Sequence, residues 1–273
     1  MVPGASNRTL RQMLAHGRIR VNGEICRLPG RLVTPDDHIE IAAKSMPVQE
    51  APGLEVVWED RDLVVVIKPS GLLTVSTPTE SQKTVHGYLR RRTRNPGQKI
   101  HVVHRLDKFA SGLLVFAKSE AVQETMKKLF EKHAIERRYW AIVEGRMASD
   151  SGTIRSRLVE GPDLRVRSTR EAGEGKSAVT HYRVLRRFPS LTALEVRLET
   201  GRKNQIRVHL SEMKHPIAGD RSYGSTTDPL GRLGLHAFSL GFRHPVNGAP
   251  LHFETEIPKE FRPYLPEPQR PLR

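Results

Sequence analysis

The sequence predicts an α+β fold built on a mixed sheet. Two patterns carry this expectation: short β-branched, apolar runs are interspersed with stretches of helical spacing, and the two do not follow a regular βαβ order. A third observation sets the class among soluble folds. The longest clean apolar run, Leu63 to Ile67, falls far short of the roughly 20 residues that a membrane-spanning helix needs. With 273 residues the chain accommodates one large domain and a small appendage.

Residues 7–15 place Leu10, Met13 and Leu14 at i, i+3 and i+4, which predicts a short amphipathic helix closed by Gly17. Ile19 and Val21 alternate with Arg18 and Arg20 as in a strand, and Asn22-Gly23 is a hairpin turn because both residues tolerate positive φ. A further strand, His38 to Ile41, follows Pro35-Asp36-Asp37. Residues 46–55, with Pro47 to Gly53 at their centre, read as a linker.

Leu63 to Ile67 then predicts a buried central strand ended by Lys68-Pro69-Ser70-Gly71. Thr84 to Arg92 predicts a helix with Val85, Tyr88 and Leu89 on one face. Its basic end, Arg90 to Arg94, is either a solvated terminus that offsets the helix dipole or a phosphate contact. Gly112 to Ala117 is a strand, and Ser119 can cap the helix that buries Val122, Met126, Leu129 and Phe130. Tyr139 to Val143 and Leu194 to Leu198 predict strands, and Ile206, Leu210 and Met213 mark a helix over 204–213. The proline-rich end from Phe261 onward should lie irregularly on the surface.

Composition then limits the function. Forty-five Lys and Arg against 30 Asp and Glu give a formal charge of +15, which attracts polyanions. Without a long basic amphipathic helix, nucleic acid is favoured over a membrane surface. The N-terminus lacks the apolar core of a secretion signal, and Cys26 is the single cysteine. The expectation is a reducing cytoplasm, with no disulfide and no cysteine-based zinc site. No P-loop, dinucleotide fingerprint, HExxH or CxxC motif occurs, so no cofactor or metal is predicted. His215 and His244 each precede a proline and read as turn residues.

Chemistry concentrates in residues 101–118, HVVHRLDKFASGLLVFAK. Asp107 lies in a loop between two predicted strands, where a functional side chain can be held firmly. By itself the Arg105-Leu106-Asp107 triplet is equally a turn cap or a surface ion pair. The surroundings carry more. His104-Arg105-Leu106-Asp107, Ser111-Gly112, the apolar strand and Ala117-Lys118 resemble the hallmark of the RluA-type family of pseudouridine synthases. Further segments match in family order: Trp58-Glu59-Asp60 through the Lys68-Pro69-x-Gly71 turn, Arg138 to Gly145, Ser177 to Arg183, Thr200 to His209, His215 to Asp220, and Leu235 to Ala237. Together the matches cover about residues 56–253. Residues 1–45 resemble the later part of an S4-type RNA-binding domain, truncated at its front.

The resemblance implies a mixed, largely antiparallel central sheet with flanking helices, carried by residues 56–273, plus a small S4-like α/β appendage. It implies isomerisation of uridine in RNA without a cofactor. Asp107 would be the catalytic carboxylate, and Arg207, in Gln205-Ile206-Arg207, the cation that keeps it ionised against burial. Tyr139 would stack on the everted base, offsetting part of the unstacking cost. Arg105 would either fill the space that the base vacates or contact a phosphate. Two positions depart from the family pattern: Ala110 replaces a usual Thr, and Lys203-Asn204 replaces a pair that includes His. The expected partner is structured RNA, ribosomal before transfer RNA, met by a monomer. A noncatalytic S4-type RNA-binding protein is the alternative. An Asp-dependent hydrolase would need a second carboxylate, and none is evident near Asp107 in the sequence.

Overall fold

The computed structural model describes residues 6–15, 17–26, 28–42, 51–77, 83–93, 99–171 and 173–266. Residues 46–50 of the expected linker, Arg94 and residues 267–273 lie outside these. The chain divides into two compact units, Met1–Glu50 and Ala51–Arg273.

In the smaller unit, helix α1 (Asn7–Ala15) precedes a three-stranded antiparallel sheet of β1 (Ile19–Val21), β2 (Glu24–Cys26) and β3 (Ile39–Ile41), with β1 central. Asn22 and Gly23 both take positive φ, 53° and 78°, as a tight primed hairpin requires. Asn22 also ties down the approach to β3. Its Nδ2 donates to Asp37 Oδ1 at 2.6 Å, and its Oδ1 accepts from the His38 amide at 2.7 Å.

The larger unit is an eleven-stranded sheet. It comprises β4 (Glu55–Glu59), β5 (Leu63–Lys68), β6 (His101–Val102), β7 (Ser111–Ala117), β8 (Glu136–Glu144), β9 (Ser151–Glu160), β10 (Val166–Thr169), β11 (Lys176–Arg187), β12 (Leu191–Leu198), β13 (Leu235–Arg243) and β14 (Pro250–Glu254). The main path runs β10-β9-β11-β12-β8-β13-β7-β5-β4, with β14 on β13 and β6 on β7. Every strand pairing is antiparallel except β7 with β13. Residues 51–54, which composition places in a linker, instead form a turn. Ala51 is buried and Gly53, at φ +75°, lies against Pro69.

Alternation along the central strands sends side chains to two cores. Val64, Val66, Leu114, Phe116, Tyr139 and Ala141 pack with α2 (Val85–Arg92) and α4 (Gln205–Glu212). Leu63, Val65, Leu113 and Val115 face Val122 and Met126 of α3 (Glu120–Glu131). The Thr84 hydroxyl caps α2 through the Gly87 amide, and Ser119 caps α3 through Val122. Leu129 and Phe130 are only partly buried.

The parallel contact fixes how the site loop leaves the sheet. Ser111 pairs with His236 and Gly112 with Ala237. Gly112 has φ +116°, and a Cβ there would meet the Ala237 carbonyl oxygen at 2.1 Å, so only glycine allows this approach.

Candidate active site

Asp107 stands in the loop between β6 and β7, and the loop is fastened from several sides. The fully buried Lys68 ammonium donates to the carbonyls of Pro69, Leu72 and Lys108 at 2.7–2.9 Å. Burial, reinforced by the Arg232 charge, pulls the Lys68 pKa down to about 7. Thr74 both donates to the Leu106 carbonyl and accepts from its amide, at 2.8 and 3.1 Å. Behind the loop, His104 Nε2 accepts from the Val115 amide, and Ser111 Oγ lies 2.6 Å from His236 Nδ1. Burial depresses both histidines to about 3, so they serve as neutral hydrogen-bonding groups.

The loop opens onto a cleft of about 420 Å³, lined by Asp107 and Tyr139 as well as Arg105, Arg202, Lys203 and Arg207. Arg207, on the first turn of α4, reaches Asp107 Oδ2 through Nη1 at 3.4 Å. Thus 100 residues of chain separate two groups that share the cleft floor. Tyr139 also lines the cleft and is 6% exposed, so its ring serves both core and cleft. Arg105 is exposed at the rim. The four residues singled out in the sequence therefore line one cavity.

Their pairing differs from the expected one. Arg207 is committed chiefly to Asp220, through Nε to Oδ2 at 2.7 Å and Nη2 to Oδ1 at 2.8 Å. Its contact with Asp107 is single and longer. Burial accordingly dominates at Asp107 and raises its carboxyl above the ordinary value, although Arg207 and Arg105 pull it down. Arg207 offsets the desolvation without reversing it. A second carboxylate, distant from Asp107 in the sequence, thus stands on the far side of Arg207, but Asp220 offers both oxygens to that guanidinium and is buried.

Asn204 and Tyr223 complete the arrangement around Arg207. Asn204, in the left-handed region at φ 54°, does not cap α4 with its side chain; Oδ1 accepts from Arg207 Nη1 at 3.0 Å. Its Nδ2 donates to the Tyr223 hydroxyl, and the Tyr223 ring lies 4.7 Å from the Arg207 guanidinium. The departure at Lys203-Asn204 thus supplies a carbonyl oxygen that aims Arg207. In the sequence Asp220 is marked only as the end of the His215 to Asp220 match.

Among the described residues, Asp60, Asp62 and His244 also cluster. His244 Nε2 donates to Asp60 Oδ2 at 2.9 Å, and its Nδ1 accepts from the Val246 and Asn247 amides, as befits a turn.

A cation-rimmed cleft that holds a half-buried carboxylate, Asp107, beside an exposed one, Glu131, is the equipment of an enzyme working on nucleic acid. Comparison with known proteins narrows that class. Residues 62–212 match the RNA pseudouridylate synthase family model, and residues 3–39 match the S4 domain model. The RNA pseudouridine synthase YlyB of Bacillus subtilis is 35% identical over 267 residues, covering 93% of this chain and 87% of that protein. Ribosomal large subunit pseudouridine synthase D of Vibrio parahaemolyticus is 34% identical over 280 residues, covering 93% and 84%. The structure of human RNA pseudouridylate synthase domain containing 4 superposes with a TM-score of 0.63 at 25% identity, covering 76% of this chain and 90% of that one. The chain belongs to the RNA pseudouridylate synthase family. It is an RNA-modifying isomerase with an S4 domain at its N-terminal end.

Tyr139 offers a test of the cleft within this class. Tyr139→Phe keeps the ring and should keep turnover within about threefold. Tyr139→Leu refills most of the volume but cannot stack, and should lose about 10- to 100-fold in kcat/KM, the equivalent of one base–aromatic stack. Steady-state kinetics beside thermal melting decides the matter. A loss of Tm without loss of kcat/KM would make Tyr139 a core aromatic only.

Proposed function

We propose that this chain converts specific uridines of ribosomal RNA to pseudouridine, with Asp107 as its catalytic carboxylate. The N1–C1′ bond breaks and a C5–C1′ bond forms; C5 loses its proton and N1 gains one, so nothing is oxidised and no group departs. Asp107 acts in its ionised form at the sugar–base linkage. Arg207 supports that charge, Tyr139 stacks on the everted uracil, and Arg105 works at the cleft mouth where the base leaves the helix. Residues 56–273 carry the reaction, and residues 1–45 add RNA contacts. The enzyme works as a monomer in the cytoplasm.

The observation that carries this reading is the convergence of Asp107, Arg207 and Tyr139 on one cleft from three separate elements. A noncatalytic RNA-binding protein has no use for a desolvated carboxylate at the floor of a basic cleft. Ribosomal RNA is favoured over transfer RNA by the similarity to the Vibrio large-subunit enzyme.

Pseudouridine mapping of total RNA with and without the gene tests the proposal. One or more sites in large-subunit ribosomal RNA should disappear on deletion, and return with the wild-type gene but not with Asp107→Asn. Disappearance confined to transfer RNA would move the target class. An unchanged map would refute the reading.

A further inference from the structure

Arg137 has no part in the chemistry above, yet it is the most conspicuous charge in the cleft. It lies on β8 two residues before Tyr139, so both side chains leave the same face of the strand, about 7 Å apart. It is 6% exposed and lines the same cavity as Asp107. Among the described residues no carboxylate forms an ion pair with it. Nη2 donates to the Glu199 carbonyl at a long 3.3 Å, and Nε is buried without a partner. The guanidinium is otherwise supported by the Phe130 ring, 5.2 Å from its carbon.

Gly201 roofs this group. A Cβ at position 201 would meet Arg137 Nη1 at 2.5 Å. The Gly201 backbone does not lie in the left-handed region, so its glycine is explained by the room it leaves over the guanidinium rather than by its own conformation. A buried cation with idle donors and no counter-charge is costly in a folded protein unless a ligand supplies that charge. A neutral carbonyl would fill the hydrogen bonds but leave the charge. The phosphodiester of a bound strand does both, and the planar fork of arginine suits its paired oxygens.

We propose that Arg137, against which position 201 leaves room for no side chain, is a phosphate seat inside the cleft, taking a backbone phosphodiester next to the everted nucleotide. This rests on the reading of the cleft as the uridine site. Tyr139 shares the cleft with both charges, and its hydroxyl feels Arg137 as well as Asp107. A strand with its base against Tyr139 and its anomeric carbon at Asp107 then carries a phosphate toward Arg137. The seat would hold the nucleotide by its backbone, leaving base identity to the rest of the cleft.

Two measurements test the seat. Inorganic phosphate should raise the Tm of the wild-type protein above that in chloride at matched ionic strength. The increment should vanish in Arg137→Gln, shrink in Gly201→Ala and survive in Arg105→Gln. An increment that persists in Arg137→Gln overturns the seat. Second, the mapped RNA is synthesised with one neutral methylphosphonate at a time around the target uridine. At one flanking linkage the wild type should lose about 10- to 100-fold in kcat/KM, mainly through KM, the cost of one charge-assisted hydrogen bond. Arg137→Gln should lose nothing further there, whereas losses that multiply at every linkage overturn the proposal. Should Arg137→Gln fail to fold, Arg137→Lys, which keeps a cation but not the fork, should show a reduced phosphate increment, and an undiminished one overturns the seat. Failure of the wild type to modify any RNA would strike the isomerase reading, while the phosphate increment would still decide the seat.

Discussion

Asp107→Asn should reduce turnover by about 10,000-fold or more, the scale seen when an essential reacting group is removed, while the protein becomes no less stable. The second half follows from the direction of its pKa. Burial raises the Asp107 carboxyl above its ordinary value, so the folded chain holds a proton over a range in which the unfolded chain has lost it. Stability then falls as pH climbs from the unfolded value through the folded one, and the penalty persists at neutrality. Asn cannot ionise and is free of that penalty. Thermal melting should give a Tm equal to or above wild type at pH 7, with the difference closing in acid. A clear fall in Tm at pH 7 would show that the carboxylate is held favourably. The same direction governs activity: if ionised Asp107 is the working form, the acid limb of kcat/KM against pH should lie above the ordinary carboxylate range.

Arg207→Gln should have the second largest effect, and on two properties at once. Asp220 is 2% exposed at its side chain and is bonded through both oxygens to Arg207, so removing the guanidinium strands a buried carboxylate. Breaking one partner out of such a pair costs about 3–5 kcal/mol. Asp107 loses its strongest opposing charge as well. Turnover at pH 7 should fall about 100- to 1,000-fold, and the acid limb should move to still higher pH. Arg207→Lys retains the charge but not the fork, and should recover activity more than stability. If the acid limb stays in place when Arg207 is replaced, Arg207 is structural and does not support Asp107.

Much of the fold is legible where local pattern and tertiary burial agree. Asn22-Gly23 demands its hairpin, Ser119 starts α3, and the apolar run from Leu63 marks a buried strand, although β5 lies second from the sheet edge and not at its centre. The strands β9 and β11 are harder to see. β9 alternates half-buried Gly152 and Ile154 with exposed Arg155 and Arg157, and its inward positions include Ser156, which lies 2.9 Å from the buried His209. Polar residues facing inward blur the period on which strand recognition depends. β13 buries eight of its nine residues, among them His236, Ser239 and Gly241, so it shows neither alternation nor a clean apolar run.

The site divides in the same way. Asp107, Arg207, Tyr139 and Arg105 stand in contiguous motifs, and the resemblance marks them. Asp220 and Asn204 act through a geometry that no short segment encodes, since each matters because of where Arg207 points. Their weight reverses the simple picture of an arginine devoted to one aspartate. Arg137 carries a different lesson. In sequence it is one of two adjacent arginines, and only the strand's pleat separates the half-buried Arg138, paired with Glu136, from its buried neighbour.

The Gly112–Ala237 contact has a consequence for biosynthesis. β13 lies between β7 and β8 in the sheet, yet it is translated more than 90 residues after β8 ends. A nascent chain that has emerged only as far as α4 already holds Asp107, Tyr139 and Arg207, but the floor beneath the loop has a strand-wide gap. Pairings of such long sequence separation form slowly. The enzyme should therefore be silent on the ribosome until β13 is released, and a chain cut before Leu235 should bind RNA without ever modifying it.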